Sequence, residues 1–180
     1  QEMALAVWLH SAVKQGIPNY NLERGFELAN VAGREERQCL LQSVLISSLL
    51  QAMGVDAGIA MVYQNHDGQY TNNAHVVVLL KQANGRDALV DGSYRQTLVA
   101  HKGLMAMLSG GGYRYVRPVY TPDYRAIVSY REAASGAALS VSAVRPMDVP
   151  FMRSQFDFYR GERAAGGVLA ERATADGLQR

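Results

Sequence analysis

The stretch Gln38-Cys39-Leu40-Leu41-Gln42-Ser43-Val44-Leu45-Ile46-Ser47-Ser48-Leu49-Leu50-Gln51-Ala52-Met53-Gly54 decides how this chain is read. Leu40, Leu41, Val44, Leu45, Ile46, Leu49, Leu50 and Met53 cover most of a helical circumference, while Ser43, Ser47 and Gln51 recur at four-residue spacing on the remaining stripe. A helix apolar on most sides has to be surrounded by other elements, and small serines let a neighbouring backbone come close. The pattern predicts the central helix of the fold, ended at Gly54 by a left-handed residue. Cys39, the only cysteine of the chain, opens it. First-turn amides lack helical partners and the dipole there is positive, a setting that favours thiolate over thiol. Cys39 is therefore a candidate nucleophile. The competing reading is a buried cysteine acting as a small hydrophobe.

Downstream, Val55, Ala57, Ile59, Met61 and Tyr63 alternate with smaller residues and predict a strand, followed by a polar loop over 64–73. Ala74 to Lys81 predicts a second strand with His75 at its entry, and Asp87 to Asp91 a third, with Asn84-Gly85 in the turn between. Side chains alternate faces along a strand, so only a same-parity pairing can bring His75 and Asp91 together. An odd loop of three or five residues centred on residue 83 sets them opposite each other. A two-residue Asn84-Gly85 turn pairs Asp91 with Val78 and sends His75 to the other face.

Upstream, Met3 to Val13 predicts a packed helix, ended by Gly16 and Pro18, in which Trp8 suits core packing better than a platform near a site; a second helical stretch runs around Leu22 to Ala32, closed by Gly33. Arg34 to Gln38 forms a charged approach to Cys39, read as a solvated loop or first turn. Beyond Ser93, Leu104 to Leu108 is expected to be a short helix. Tyr113 to Tyr120, Arg125 to Tyr130 and Ala138 to Val144 are expected to be strands, their tyrosines packing the sheet. Pro146 and Pro150 mark a boundary, which divides the chain into a domain over 1–145 and a helical C-terminal appendage over 146–180.

Composition excludes several classes. A formal charge of +2, from 18 basic against 16 acidic residues scattered along the chain, argues against nucleic-acid binding. No apolar run is long enough to insert in a membrane. One cysteine excludes an intramolecular disulfide and a CxxC metal site, and leaves the compartment open. No phosphate-binding glycine motif is framed correctly, so no nucleotide or other cofactor is expected. A metal held by His66, His75, Asp67 and Asp91 follows no common ligand spacing. His10 and His101 read as ordinary surface or packed residues.

A thiol nucleophile needs a base to take its proton and return it to a leaving amine, and the base needs an acceptor that fixes its tautomer. Cys39, His75 and Asp91 suit those roles in that order. Gln38-Cys39 opening an apolar helix that ends near Gly54, Ala74-His75-Val76-Val77-Val78, and Leu89-Val90-Asp91-Gly92-Ser93 together resemble the transglutaminase-like branch of the papain-like superfamily over about residues 20–95. The resemblance implies an α+β fold with the cysteine helix packed on an antiparallel sheet, and a Cys-His-Asp acyl-transfer site. It implies a peptide or protein substrate, with peptide or amide hydrolysis preferred because nothing marks a dedicated amine site. Transglutaminase-type transfer to an amine and a non-catalytic peptide-binding scaffold are the alternatives. The oligomeric state is open.

Overall fold

The computed structural model describes residues 1–169 and 172–179, without the side chains of residues 72–74. In chain order the elements are α1 (Glu2–Gly16), β1 (Asn19–Tyr20), α2 (Leu28–Arg34), β2 (Glu36–Arg37), α3 (Cys39–Ala52), β3 (Ala57–Gln64), β4 (Tyr70–Lys81) and β5 (Asp87–Val90). Then follow β6 (Gly103–Leu108), β7 (Tyr113–Tyr120), β8 (Ile127–Glu132), β9 (Ala138–Leu139), a 3-10 turn (Val141–Ala143), β10 (Val144–Arg145), α4 (Val149–Arg163) and α5 (Ala175–Leu178). The fold is α+β, as the patterning predicts.

The sheet is antiparallel, and it closes on itself. Strands β6-β3-β4-β5-β8-β7 pair in that order and β7 returns to β6, making a six-stranded barrel, with β10 beside β6 and β9 beside β8. Alternation along β4 explains how one strand serves two cores. Val77 and Leu79 join Ala60, Val62, Leu89, Leu104, Val116, Ile127 and Tyr130 in one cluster. Val78 and Leu80 join Ile46 and Leu50 of α3 and Ala6, Leu9 and Val13 of α1 in another. The central helix is thus packed between α1 and the β3–β4 face, and Ser43 Oγ donates to Val76 O at 3.0 Å where the two meet.

The hairpin between β4 and β5 departs from both expected registers. Val78 pairs with Val90 and Lys81 with Asp87, so the loop is Ala83-Asn84-Gly85, centred on residue 84. Gly85 N donates to Gln82 O (3.0 Å) and Gly85 takes φ +76°, a type I turn followed by a left-handed residue. An odd loop preserves the parity of His75 and Asp91. Extending the ladder by one step puts Asp91 across from Val77, diagonal to His75 and not opposite it.

Other expectations need correction. Leu104 to Leu108 is strand β6, because Leu104 and Ala106 alternate into the barrel core with Met105 and Met107 turned away. Trp8 is 60% exposed, since α1 turns Ala6, Leu9, His10 and Val13 inward instead. The loop before β4 spans only 65–69, and Ala138 to Val144 is broken by the 3-10 turn. Of the tyrosines, Tyr130 is fully buried while Tyr113, Tyr115 and Tyr124 are exposed. The Asn72, Asn73 and Ala74 side chains lie outside the described residues. Among the described residues no helix is long and apolar enough to cross a membrane.

Candidate active site

Cys39 is the first residue of α3 and 4% exposed. Gln38, in extended conformation before it, caps the helix: its Oε1 accepts from Leu40 N (3.5 Å) and lies 3.0 Å from Cys39 Sγ, which donates to it. The entry to the helix is fixed from outside. Gly25 lies so close to the Arg37 and Asn21 carbonyls that a Cβ there would sit 2.5 Å from either oxygen. Glu36 accepts from Arg24 Nη2 and Nε, at 2.6 and 2.7 Å. The charged approach to the cysteine is thus folded and mostly buried, contrary to its reading as a solvated loop.

His75 and Asp91 meet at the end of the β4–β5 ladder. His75 Nε2 lies 2.6 Å from Asp91 Oδ2, and the carboxylate, which accepts, is fully buried. Asp91 Oδ1 accepts from Ser93 N at 2.8 Å. Gln42, one turn into α3, grips the same corner: in the amide orientation that satisfies both its ends it donates to Gly92 O (3.2 Å) and accepts from Ser93 N and Oγ. A Cβ on Gly92 would stand 2.5 Å from Gln42 Cδ, so only glycine lets the helix and the Asp91 corner approach this closely.

Burial works against a charged His75, but hydrogen bonds with Asp91 and Cys39, and their charges, push it up to about 10. Asp91 is driven the other way. Burial opposes its ionisation, yet hydrogen bonds from His101 and His75 hold it far below the usual carboxylate range. With Nε2 committed to Asp91, Nδ1 is the imidazole atom left for the thiol. Cys39 and His75 line one cavity of about 410 Å³, walled by Tyr20, Leu22, Phe158, Tyr159 and Arg163. Tyr159 comes from α4: its OH lies 4.0 Å from Cys39 Sγ and its ring stacks on Phe26 with centroids 5.6 Å apart. Burial, then the neighbouring Cys39, raises the Tyr159 hydroxyl well above its ordinary value.

Two histidines that the residue pattern dismisses also belong here. His101 Nε2 donates to Asp91 Oδ2 at 2.8 Å, and His10 Nε2 donates to the Asp91 carbonyl at 3.1 Å while its Nδ1 accepts from Thr97 Oγ1. Three of the four histidines therefore hold Asp91. Neither His10, on the apolar face of α1, nor His101, before β6, carries a local signal; only their scarcity in the chain could have singled them out.

His75, Asp91 and His101 each offer a ligand atom within 4.8 Å of the others. The spacing does not fit an ion. Ligands about 2.0–2.2 Å from a tetrahedral metal stand more than ~3 Å apart, whereas these nitrogens lie 2.6 and 2.8 Å from one shared oxygen, at hydrogen-bond length. His66 and Asp67 face each other at 3.5 Å.

No protein-family model matches the chain, and no curated protein matches it either.

Proposed function

We propose that this protein is a cysteine-dependent acyl-transfer enzyme of the transglutaminase-like type, acting on peptide or amide bonds. The observation that carries the reading is the convergence of a helix-opening thiol, an imidazole and a buried carboxylate from three separate elements, with the imidazole bound to the carboxylate through Nε2. In this reading His75 Nδ1 takes the Cys39 proton, the thiolate attacks the carbonyl carbon, and the imidazolium returns the proton to the leaving amine. Asp91 fixes the tautomer and offsets the imidazolium charge. Water then releases the acyl group by the same path.

Negative charge on the carbonyl oxygen has two donors within reach. One is the Cys39 N–H at the helix start. The other is Gln38 Nε2, which is buried beside the sulfur without a hydrogen-bond partner among the described residues. While Cys39 is a thiol, the Gln38 amide oxygen accepts its proton. Once that proton has moved to His75, turning the carboxamide over gives the orphan nitrogen an anionic partner.

Iodoacetamide alkylation at pH 6 tests the reading. An unassisted thiol is only about 0.3% ionised there, so His75→Ala is expected to label roughly 100-fold more slowly than wild type, and Cys39→Ala not at all. Equal rates in wild type and His75→Ala would leave Cys39 an ordinary buried thiol.

A further inference from the structure

We propose that His101 is a positioning residue for this site: it donates to Asp91 Oδ2 and so keeps the carboxylate ionised and aimed at His75. The inference rests on the acyl-transfer reading above. Its geometric basis is that one carboxylate oxygen serves two imidazoles, one facing the thiol cavity and one sealed in the interior. His75 is partly exposed, whereas His101 is wholly buried. The interior one never reaches a substrate.

His101 carries its proton on Nε2, the atom aimed at the carboxylate. Its Nδ1 is buried with no partner among the described residues, so a second proton there would be a donor with no acceptor. The Nε2–H bond favours the carboxylate's ionised form. Tyr120 Oη donates to the His101 backbone O at 2.7 Å, which fixes the main chain that carries the ring.

Other titratable groups around the pair are His66 and Tyr94, whose rings lie 6.1 Å from His101, Tyr120 on β7, Tyr20 on β1, and His10 and Lys14 on α1. Among described side chains only His75 and His101 donate to the carboxylate. Burial alone would push the Asp91 carboxyl up, and the His101 hydrogen bond is the largest influence holding it down. Removing that donor should therefore bring Asp91 protonation into an accessible pH range, and protonated Asp91 no longer supports His75.

The test is the acid limb of the pH profile for Cys39 alkylation by iodoacetamide, between pH 4 and 8, in wild type, His101→Leu and His101→Gln. Gln retains a neutral N–H near the position of Nε2; Leu does not. We expect His101→Leu to move the acid limb upward by at least one pH unit and slow labelling about tenfold at pH 5, and His101→Gln to restore most of both. An unchanged limb in His101→Leu, or a glutamine variant as impaired as the leucine variant, overturns the proposal. If His101→Leu does not fold, Tyr120→Phe removes the bond that fixes the His101 main chain, with a smaller upward shift expected and no shift counting against it. Failure of the triad itself shows separately, as wild-type labelling that does not depend on His75.

Discussion

Two buried aspartates bracket β5, four residues apart, and they do opposite things. Asp87, at the start of the strand, accepts from Lys81 Nζ (2.7 Å) and Tyr130 OH (2.6 Å). The same lysine donates to Val141 O and Val144 O, so the cluster ties β4, β5 and β8 to the segment before α4. Burial, only partly offset by Lys81 and Tyr130, leaves the Asp87 carboxyl above its ordinary value. Asp91, one residue past the other end, has both oxygens engaged and is held low. Equal burial does not make equal chemistry. The partner decides: a lysine ammonium keeps its proton at neutral pH, whereas a histidine can pass one on. Asp87 is thus a staple, and in the proposed mechanism Asp91 supports proton transfer.

The comparison breaks most sharply under paired Asp→Asn substitutions. Asp91→Asn is expected to lower His75-assisted alkylation of Cys39 by roughly 100-fold at pH 6, while Asp87→Asn leaves the labelling rate within a factor of about two of wild type. If both variants label alike, the two aspartates are both structural. Urea unfolding should separate them in the other sense. Asp87→Asn leaves the Lys81 ammonium buried without its counter-charge, and is expected to cost about 3 kcal/mol.

Stability against pH sharpens the contrast further. His75 is raised in the folded protein to about 10, above its unfolded value, so its contribution is fully present below about pH 6.5 and is lost as pH rises through about 10. Asp91 is depressed, so its contribution is present above the ordinary carboxylate range and is lost as pH falls through the lower folded value. Urea midpoints at pH 6, 8 and 10 should therefore decline in wild type and decline less in His75→Ala. Parallel curves would mean that His75 gains nothing from Asp91 and Cys39 on folding.

The smallest effect concerns the wall of the cavity. Arg160 on α4 clamps Glu27 through two bonds of 2.6 and 3.0 Å, but its side chain is half exposed, and such pairs contribute about 0–1 kcal/mol. Arg160→Ala is expected to leave the urea midpoint nearly unchanged while Cys39 alkylation rises two- to threefold, because α4 carries Tyr159 over the sulfur. An unchanged labelling rate would show that α4 does not limit access.

Local regularities carried much of the fold. The serine stripe and apolar circumference marked α3, alternation marked β3, and short apolar runs on either side of the Asn84-Gly85 turn marked β4 and β5, because these signals are written directly into side-chain order. The three candidate site residues were legible for a related reason: each stands at or near the end of an element, where chemistry-bearing side chains stand out from apolar runs. The short apolar run Leu104 to Leu108 was ambiguous, since five residues fit either period and only pairing with β3 and β7 chose strand. Closure of the sheet was equally invisible, because it depends on β6 pairing with β3 and β8 with β5, strands far apart in the chain.

The sequence by itself determined that a thiol opens the most apolar helix of an α+β chain and that a histidine and an aspartate flank one hairpin. Only the tertiary structure decided the diagonal register of that hairpin, the burial of the Cys39 approach, the α4 wall and the two further histidines around Asp91. The physical reason is range. Periodicity and turn chemistry act over a few residues, but the hydrogen bonds that hold Asp91 come from residues as far away in sequence as His10, and their geometry exists only once the barrel and its covering helices are packed.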